Sequence, residues 1–237
     1  RNFSNMSKAL QDQFLLTDIP IVEVTTEKIN WRWIFCKTNK SGMPLNDTEI
    51  RRAMYEELDL MTALETFCEK DDVWRSLFSD NQSYKALGSI LRAIAMHYCY
   101  KEYKKPVARF LDVFCNQAEK LCSDGTINVP ELQVDLTMVM KALDAVVDDA
   151  QNKKRLVFRM TDKSQINLGL VDCMIHAGLN LVQNNPNMTV EQMTERLRTV
   201  KQELLADSTT YTALTSNTSK DEYVYARLNK VDSLTLS

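Results

Sequence analysis

Apolar residues recur every three or four positions along most of this chain, the period of a helix that buries one face. The pattern predicts a short amphipathic helix over 7–16 and another over 27–38, where Ile29, Trp33 and Ile34 share a side. After a polar loop, Asn46 and Glu49 stand at the spacing of a capping box and open a helix running to about Glu69. Its apolar face is Ile50, Met54, Leu58, Met61 and Leu64. Asp71-Asp72 opens a short helix with Trp74, Leu77 and Phe78. Leu87, Ile90, Leu91, Ile94 and Tyr98 mark the next, which Lys104-Lys105-Pro106 breaks, because proline suits only a helix's first turn. Further helices follow through Val107–Leu121, Leu132–Val146 and Ile166–Leu181, then one capped by Thr189, and a last one from about Asp221. Residues 148–154 read as a loop, and Leu156-Val157-Phe158 suits helix or strand equally.

One segment breaks the helical period. Ile19-Pro20-Ile21-Val22-Glu23-Val24-Thr25-Thr26 fits a half-buried strand, with Pro20 at its start or on an edge. A single strand makes no sheet, so its partners are expected upstream of Arg1. The expected fold class is therefore mainly α: a bundle of about nine helices over 27–237. It is preceded at 1–26 by one strand left over from a truncated α/β core.

Composition supports a packed body. Of 237 residues, 44% are hydrophobic and 26% charged, enough apolar material for a sizeable core, and five glycines and five prolines are too few for a chain of many short strands. No apolar run reaches the length of a membrane span, and the start, RNFSNMSKALQDQF, lacks the apolar stretch of a secretory signal. The six cysteines form no C-x-x-C pair and read as buried thiols, and the N-x-[S/T] triplets read as chance; the expected compartment is the cytoplasm. A net charge of −3 argues against a non-specific nucleic-acid coat and leaves room for a local basic patch.

Several chemistries lack their residues. The only histidines, His97 and His176, lie in apolar helical segments and read as core or boundary residues, so no zinc or HNH-type centre is spaced here. Neither a phosphate-cradling glycine loop nor a G-x-S-x-G elbow occurs. Three basic stretches remain. In the loop 37–46, Gly42 can take positive φ and expose backbone N–H groups, while Lys37, Asn39, Lys40, and Arg51 and Arg52 one turn into the next helix, can meet a phosphate. The same residues also suit a structural turn in which Asn39 holds the backbone and Asn46 caps. Lys101, Lys104, Lys105 and Arg109 surround a helix junction, and Lys153-Lys154-Arg155 is a third cluster. Each reads as solvated surface or as a contact to nucleic-acid backbone.

The segment from Trp33 to Ala53 resembles the I-F-x-x-x-N-x-x-G-x-P-L-x-x-x-E-[I/L]-R-x-A signature of the GmrSD N-terminal domain family, which includes modification-dependent restriction enzymes and antiphage nucleases of the SspE type. Ile34, Phe35, Asn39, Gly42, Pro44, Leu45, Glu49, Ile50 and Arg51 match. Lys37 stands where an arginine is usual, and Ser41 where a glycine or threonine is. Weaker similarity runs through Leu10-Gln11 and Ile19-Pro20-Ile21-Val22, through Leu91-Arg92-Ala93, Tyr103-Lys104 and Arg109-Phe110-Leu111, and through Thr218 and Tyr225-Ala226-Arg227. The resemblance implies a ParB-like α/β core, bearing a D-G-Q-R motif, ahead of the helical part. That motif is absent from this sequence, which implies a truncated member.

On that resemblance the expected function is the helical portion of a nucleotide-dependent, DNA-targeting restriction or antiphage-defence protein. It would supply DNA or partner contacts through Lys37, Asn39, Lys40, Gly42, Arg51 and Arg52, and no catalysis of its own. An NTP and Mg²⁺ are implied for the intact parent, not for this stretch. Expected partners are DNA, the missing core and a second copy of the chain, with no membrane. Two alternatives stay open: a non-enzymatic DNA- or protein-binding regulator that kept the fold, and a structural helical domain of an assembly.

Overall fold

The computed structural model describes residues 3–18, 34, 45–78, 83–146, 156–161 and 165–236. The chain divides into two compact units, Arg1–Pro44 and Leu45–Ser237. The predicted strand over 19–26, and with it the expected boundary at 26/27, lies outside the described residues. Among the described residues the chain is mainly α-helical, with no strand beyond an isolated antiparallel bridge between Arg159 and Ile166.

In the first unit, a 3₁₀ turn over Phe3–Asn5 precedes α1 (Lys8–Leu15). Gln11 Nε2 donates to the carbonyls of Phe3 and Met6 at 3.0 and 3.2 Å and folds the turn back onto the helix. Leu10, Phe14, Leu15 and Leu16 stay exposed.

The second unit begins with α2 (Asp47–Met54). Its N-terminus is the capping box the spacing predicts. The Thr48 and Glu49 N–H groups donate to Asn46 Oδ1 at 2.9 and 3.0 Å, and the Asn46 N–H donates to Glu49 Oε2 at 2.7 Å. The single helix expected from 46 to 69 is two. The chain turns at 55–57, the Leu58 N–H donating to Tyr55 O, and α3 (Asp59–Lys70) starts afresh. The apolar spacing runs through this break because Tyr55, at 6% exposure, and Leu58 still face the interior.

Next comes α4 (Asp72–Ser76), capped by Asp71 Oδ1 on the Trp74 N–H. α5 (Ser83–Cys99) is followed by a 3₁₀ turn over Tyr100–Glu102 and a cis Lys105–Pro106 peptide. α6 (Val107–Ser123) and α7 (Val129–Ala145) are joined by a turn in which Gly125 sits at φ +80°, the left-handed region glycine tolerates. Leu156–Phe158, open between helix and strand on sequence, is a 3₁₀ turn. It places Phe158 edge-on to Trp74, ring centroids 6.1 Å apart. The chain closes with α8 (Leu168–Asn184), α9 (Val190–Ala206), α10 (Ser208–Thr215) and α11 (Asp221–Thr235).

The sequence pattern missed α10. Its residues, STTYTALT, lack a clear apolar face, and its start is fixed by polar bonds instead. Asp207 accepts from the Thr210 N–H at 2.8 Å, and the Thr210 hydroxyl donates to Leu204 O at 2.7 Å.

The centre of the bundle is α8, buried continuously over 169–182 and packed by α5, α7, α9 and α11. Gly178 sets its distance from α7: a Cβ there would lie 2.5 Å from Val139 Cγ1. Within this apolar helix Asp172, His176 and Asn180 recur every fourth residue, so they form one polar stripe. α5 and α11 supply the partners, making a buried polar seam through an otherwise apolar core.

Candidate functional site

Of the residues expected to contact phosphate, Lys37, Asn39, Lys40 and Gly42 lie outside the described residues, as does Lys153-Lys154-Arg155. Arg51 and Arg52 are placed, and both have partners within the second unit. Arg51 is 6% exposed. Its Nε donates to Asp112 Oδ1 at 2.8 Å and its Nη2 to Ala108 O at 2.9 Å, pinning α2 to α6. Arg52 pairs with Glu65 on α3.

The junction cluster is arranged differently. The end of α5, the 3₁₀ turn and the first half of α6 enclose a cavity of about 280 Å³. Lys104, Lys105 and Arg109, at the start of α6, share its lining with Phe110, Val113 and Phe114 further along the helix and with Gln117. Lys104 lies 3.7 Å from Asp221 and its ammonium sits 5.8 Å from the centre of the Tyr225 ring. The second oxygen of Asp221 accepts the Lys105 N–H at 2.9 Å and orients the turn. Among the described residues, neither the Lys105 ammonium nor the Arg109 guanidinium has an acidic partner. Cys99 joins the lining as a neutral surface, since burial, with Glu102 nearby, pushes its thiol up to about 11.

Two polar groups lie deeper, along the seam. In the first, Asp172 Oδ2 accepts from Arg92 Nη2 on α5 at 2.7 Å and from Arg227 Nη2 on α11 at 3.0 Å. Arg227, wholly buried, also donates to Thr218 O at 2.6 Å. Arg92 Nε, Arg227 Nε and Asp172 Oδ1 are buried with no hydrogen-bond partner among the described residues.

In the second, one turn further along, the two histidines meet. His97 Nδ1 and His176 Nδ1 are 2.9 Å apart, so one proton lies between them and the rings take opposite roles there. His176 Nε2 lies 2.8 Å from Asp232 Oδ1, which also accepts from Asn180 Nδ2 at 3.0 Å, while the Tyr100 hydroxyl donates to Asp232 Oδ2. Burial and the second imidazole push His97 down to about 3. Burial alone would raise Asp232, but hydrogen bonds from His176 and Tyr100 hold it down at about 2.

Thiolate chemistry is disfavoured at the half-buried Cys68 and the buried Cys115 and Cys173, where desolvation pushes each thiol up to about 12. The cysteines among the described residues are free thiols. Among those residues no three His, Cys, Asp or Glu side chains come together as a metal site, and no helix is long and apolar enough to cross a membrane.

Three arginines outside the junction thus share a fate. Arg51 ends on Asp112, an exposed carboxylate of α6, and Arg92 and Arg227 end on the buried Asp172. Sequence reasoning missed these acids because the partners lie 55 to 80 residues away. The spacing of Asp172, His176 and Asn180 on one apolar helix was the available signal. No family model, curated protein or solved structure matches the chain.

Proposed function

We propose that this chain is the helical portion of a nucleotide-dependent, DNA-targeting restriction or antiphage-defence protein, and that it contributes DNA-backbone contact rather than catalysis. The observation that carries the contact is the α5–α6 junction, where Lys105 and Arg109 lack acidic partners among the described residues and Lys104 stands beside them. Cations without internal partners are free to displace counterions from DNA. Arg51, by contrast, is spent on holding α2 to α6.

A gel-shift titration of the full chain against duplex DNA at several salt concentrations tests this reading. Binding should weaken steeply with salt. The triple variant Lys104→Ala, Lys105→Ala, Arg109→Ala should flatten the log–log slope by about 2–3, near 0.9 per lost phosphate contact. Lys40→Ala probes the 37–46 loop in the same gel. Binding that ignores salt, or that the triple variant leaves intact, overturns the assignment to the junction.

A further inference from the structure

We infer that the α5–α6 cavity is a binding site for a small phosphate monoester with an apolar or aromatic body. The inference goes beyond DNA contact at the rim and stands or falls separately from it. Its basis is a lining that joins three cations at the start of α6 to apolar side chains further along the same helix.

Lys104, Lys105 and Arg109 gather where α6 begins, and the lining, Glu102 included, carries a net charge of +2. Asp221 pairs with Lys104 at 3.7 Å and leaves the side chains of Lys105 and Arg109 to a ligand. A phosphate monoester bears about −1.5 to −2 charges and three terminal oxygens, a closer match to two ammoniums and a guanidinium than a carboxylate with two oxygens. The positive end of the α6 dipole lies at the same end and adds to the preference.

Beyond the cations, the lining residues Phe110 and Phe114 are 6% and 1% exposed and held by the core, whereas Val113 is exposed. Cys99, held protonated, adds apolar surface and no repelling charge. From Arg109 to Gln117 the site runs about 12 Å along the helix, at 1.5 Å per residue. A volume of about 280 Å³ lies just under the range of drug-sized sites, about 300–1,000 Å³. Such a site takes one phosphate and one ring system, not a polymer. The monoester can come from a free small molecule or from the 5′ end of a DNA strand.

The test uses calorimetry on the full chain with 1-naphthyl phosphate, inorganic phosphate and 1-naphthol. The monoester should bind at least tenfold more tightly than either half. Lys105→Ala with Arg109→Ala should weaken it at least tenfold, and so should Val113→Trp, which fills the cavity from an exposed lining position without removing a charge. Circular dichroism on each variant verifies the fold. An oligonucleotide bearing a 5′-phosphate, compared with its 5′-hydroxyl twin, identifies the source. A preference lost in Val113→Trp assigns a DNA end, and equal binding of the twins assigns a small molecule.

Naphthyl phosphate that binds no better than inorganic phosphate, or that binds folded Val113→Trp undiminished, overturns the inference. Val113→Trp should leave the salt-dependent gel shift intact. A failed cavity and a failed DNA contact therefore give different results.

Discussion

Asp172 offers the sharpest test of how the bundle is held. It is 1% exposed at the side chain, and it is shared by Arg92 at 12% and Arg227 at 0%. Asp172→Asn keeps the shape and one acceptor oxygen but removes the negative charge, leaving two guanidiniums in the interior without a counter-charge. Removing one partner of a buried ion pair costs about 3–5 kcal/mol, because the remaining charge stays desolvated. For a body of this size that corresponds to a melting temperature lower by about 6–20 °C.

Arg227→Met removes a cation and leaves the Arg92–Asp172 contact at 2.7 Å, at the expense of the bond to Thr218 O. It should cost less, about 1–3 kcal/mol for the stranded carbonyl. The double variant should be less damaged than the sum of the two, since the second change removes one of the charges the first one strands. Urea denaturation followed by circular dichroism measures all three. An Asp172→Asn protein within about 1 kcal/mol of the parent, or one more stable than Arg227→Met, refutes the account of Asp172 as the required counter-charge.

Gly178→Ala should lose about 1–3 kcal/mol in the same denaturation assay, because its Cβ meets Val139 at 2.5 Å and must push α7 from α8. A neutral effect would show that the two helices can move apart freely. His97 gives a pH dependence: the unfolded chain takes up a proton below about 6.5 that the folded imidazole refuses until about 3. Stability should therefore be full above pH 6.5 and fall as pH drops toward 3, with His97→Gln flattening the fall between pH 6.5 and 4.5; an unchanged slope would remove His97 as the cause. Arg51→Met should lower stability by about 1–2 kcal/mol through loss of its bonds to Asp112 and Ala108 O, as read by thermal melting.

The helical bundle was legible where local chemistry and packing agree. Asn46 with Glu49, and Thr189 with Gln192, form capping boxes, and the period of Leu87, Ile90, Leu91 and Ile94 lies within α5. Apolar spacing does not register a turn when the flanking residues keep facing inward, so the break at 55–57 passed as continuous helix. Nor does it register a helix like α10, held by a cap rather than by an apolar stripe. For the candidate site, Lys101, Lys104, Lys105 and Arg109 were visible as a charge cluster beside a proline. That an apolar cavity opens beside three of them depends on how α5 and α6 cross, which no local pattern states. Arg51 shows the converse. It matches a signature and has phosphate-binding chemistry, yet a carboxylate 61 residues away claims it.

The polar seam has a consequence for the order in which the bundle assembles. The partners of Asp172, His176 and Asn180 on α11 are Arg227, Asp232 and Thr235, each 52 to 56 residues further along the chain. Those on α5, Arg92 and His97, precede them by about 80. During synthesis, α8 therefore emerges with three polar side chains on an apolar helix and only half of their partners already made. Contacts this far apart in sequence raise the contact order, which slows folding relative to a bundle of local contacts. Docking of α11 supplies the missing partners of Asp172, His176 and Asn180 and closes this part of the core.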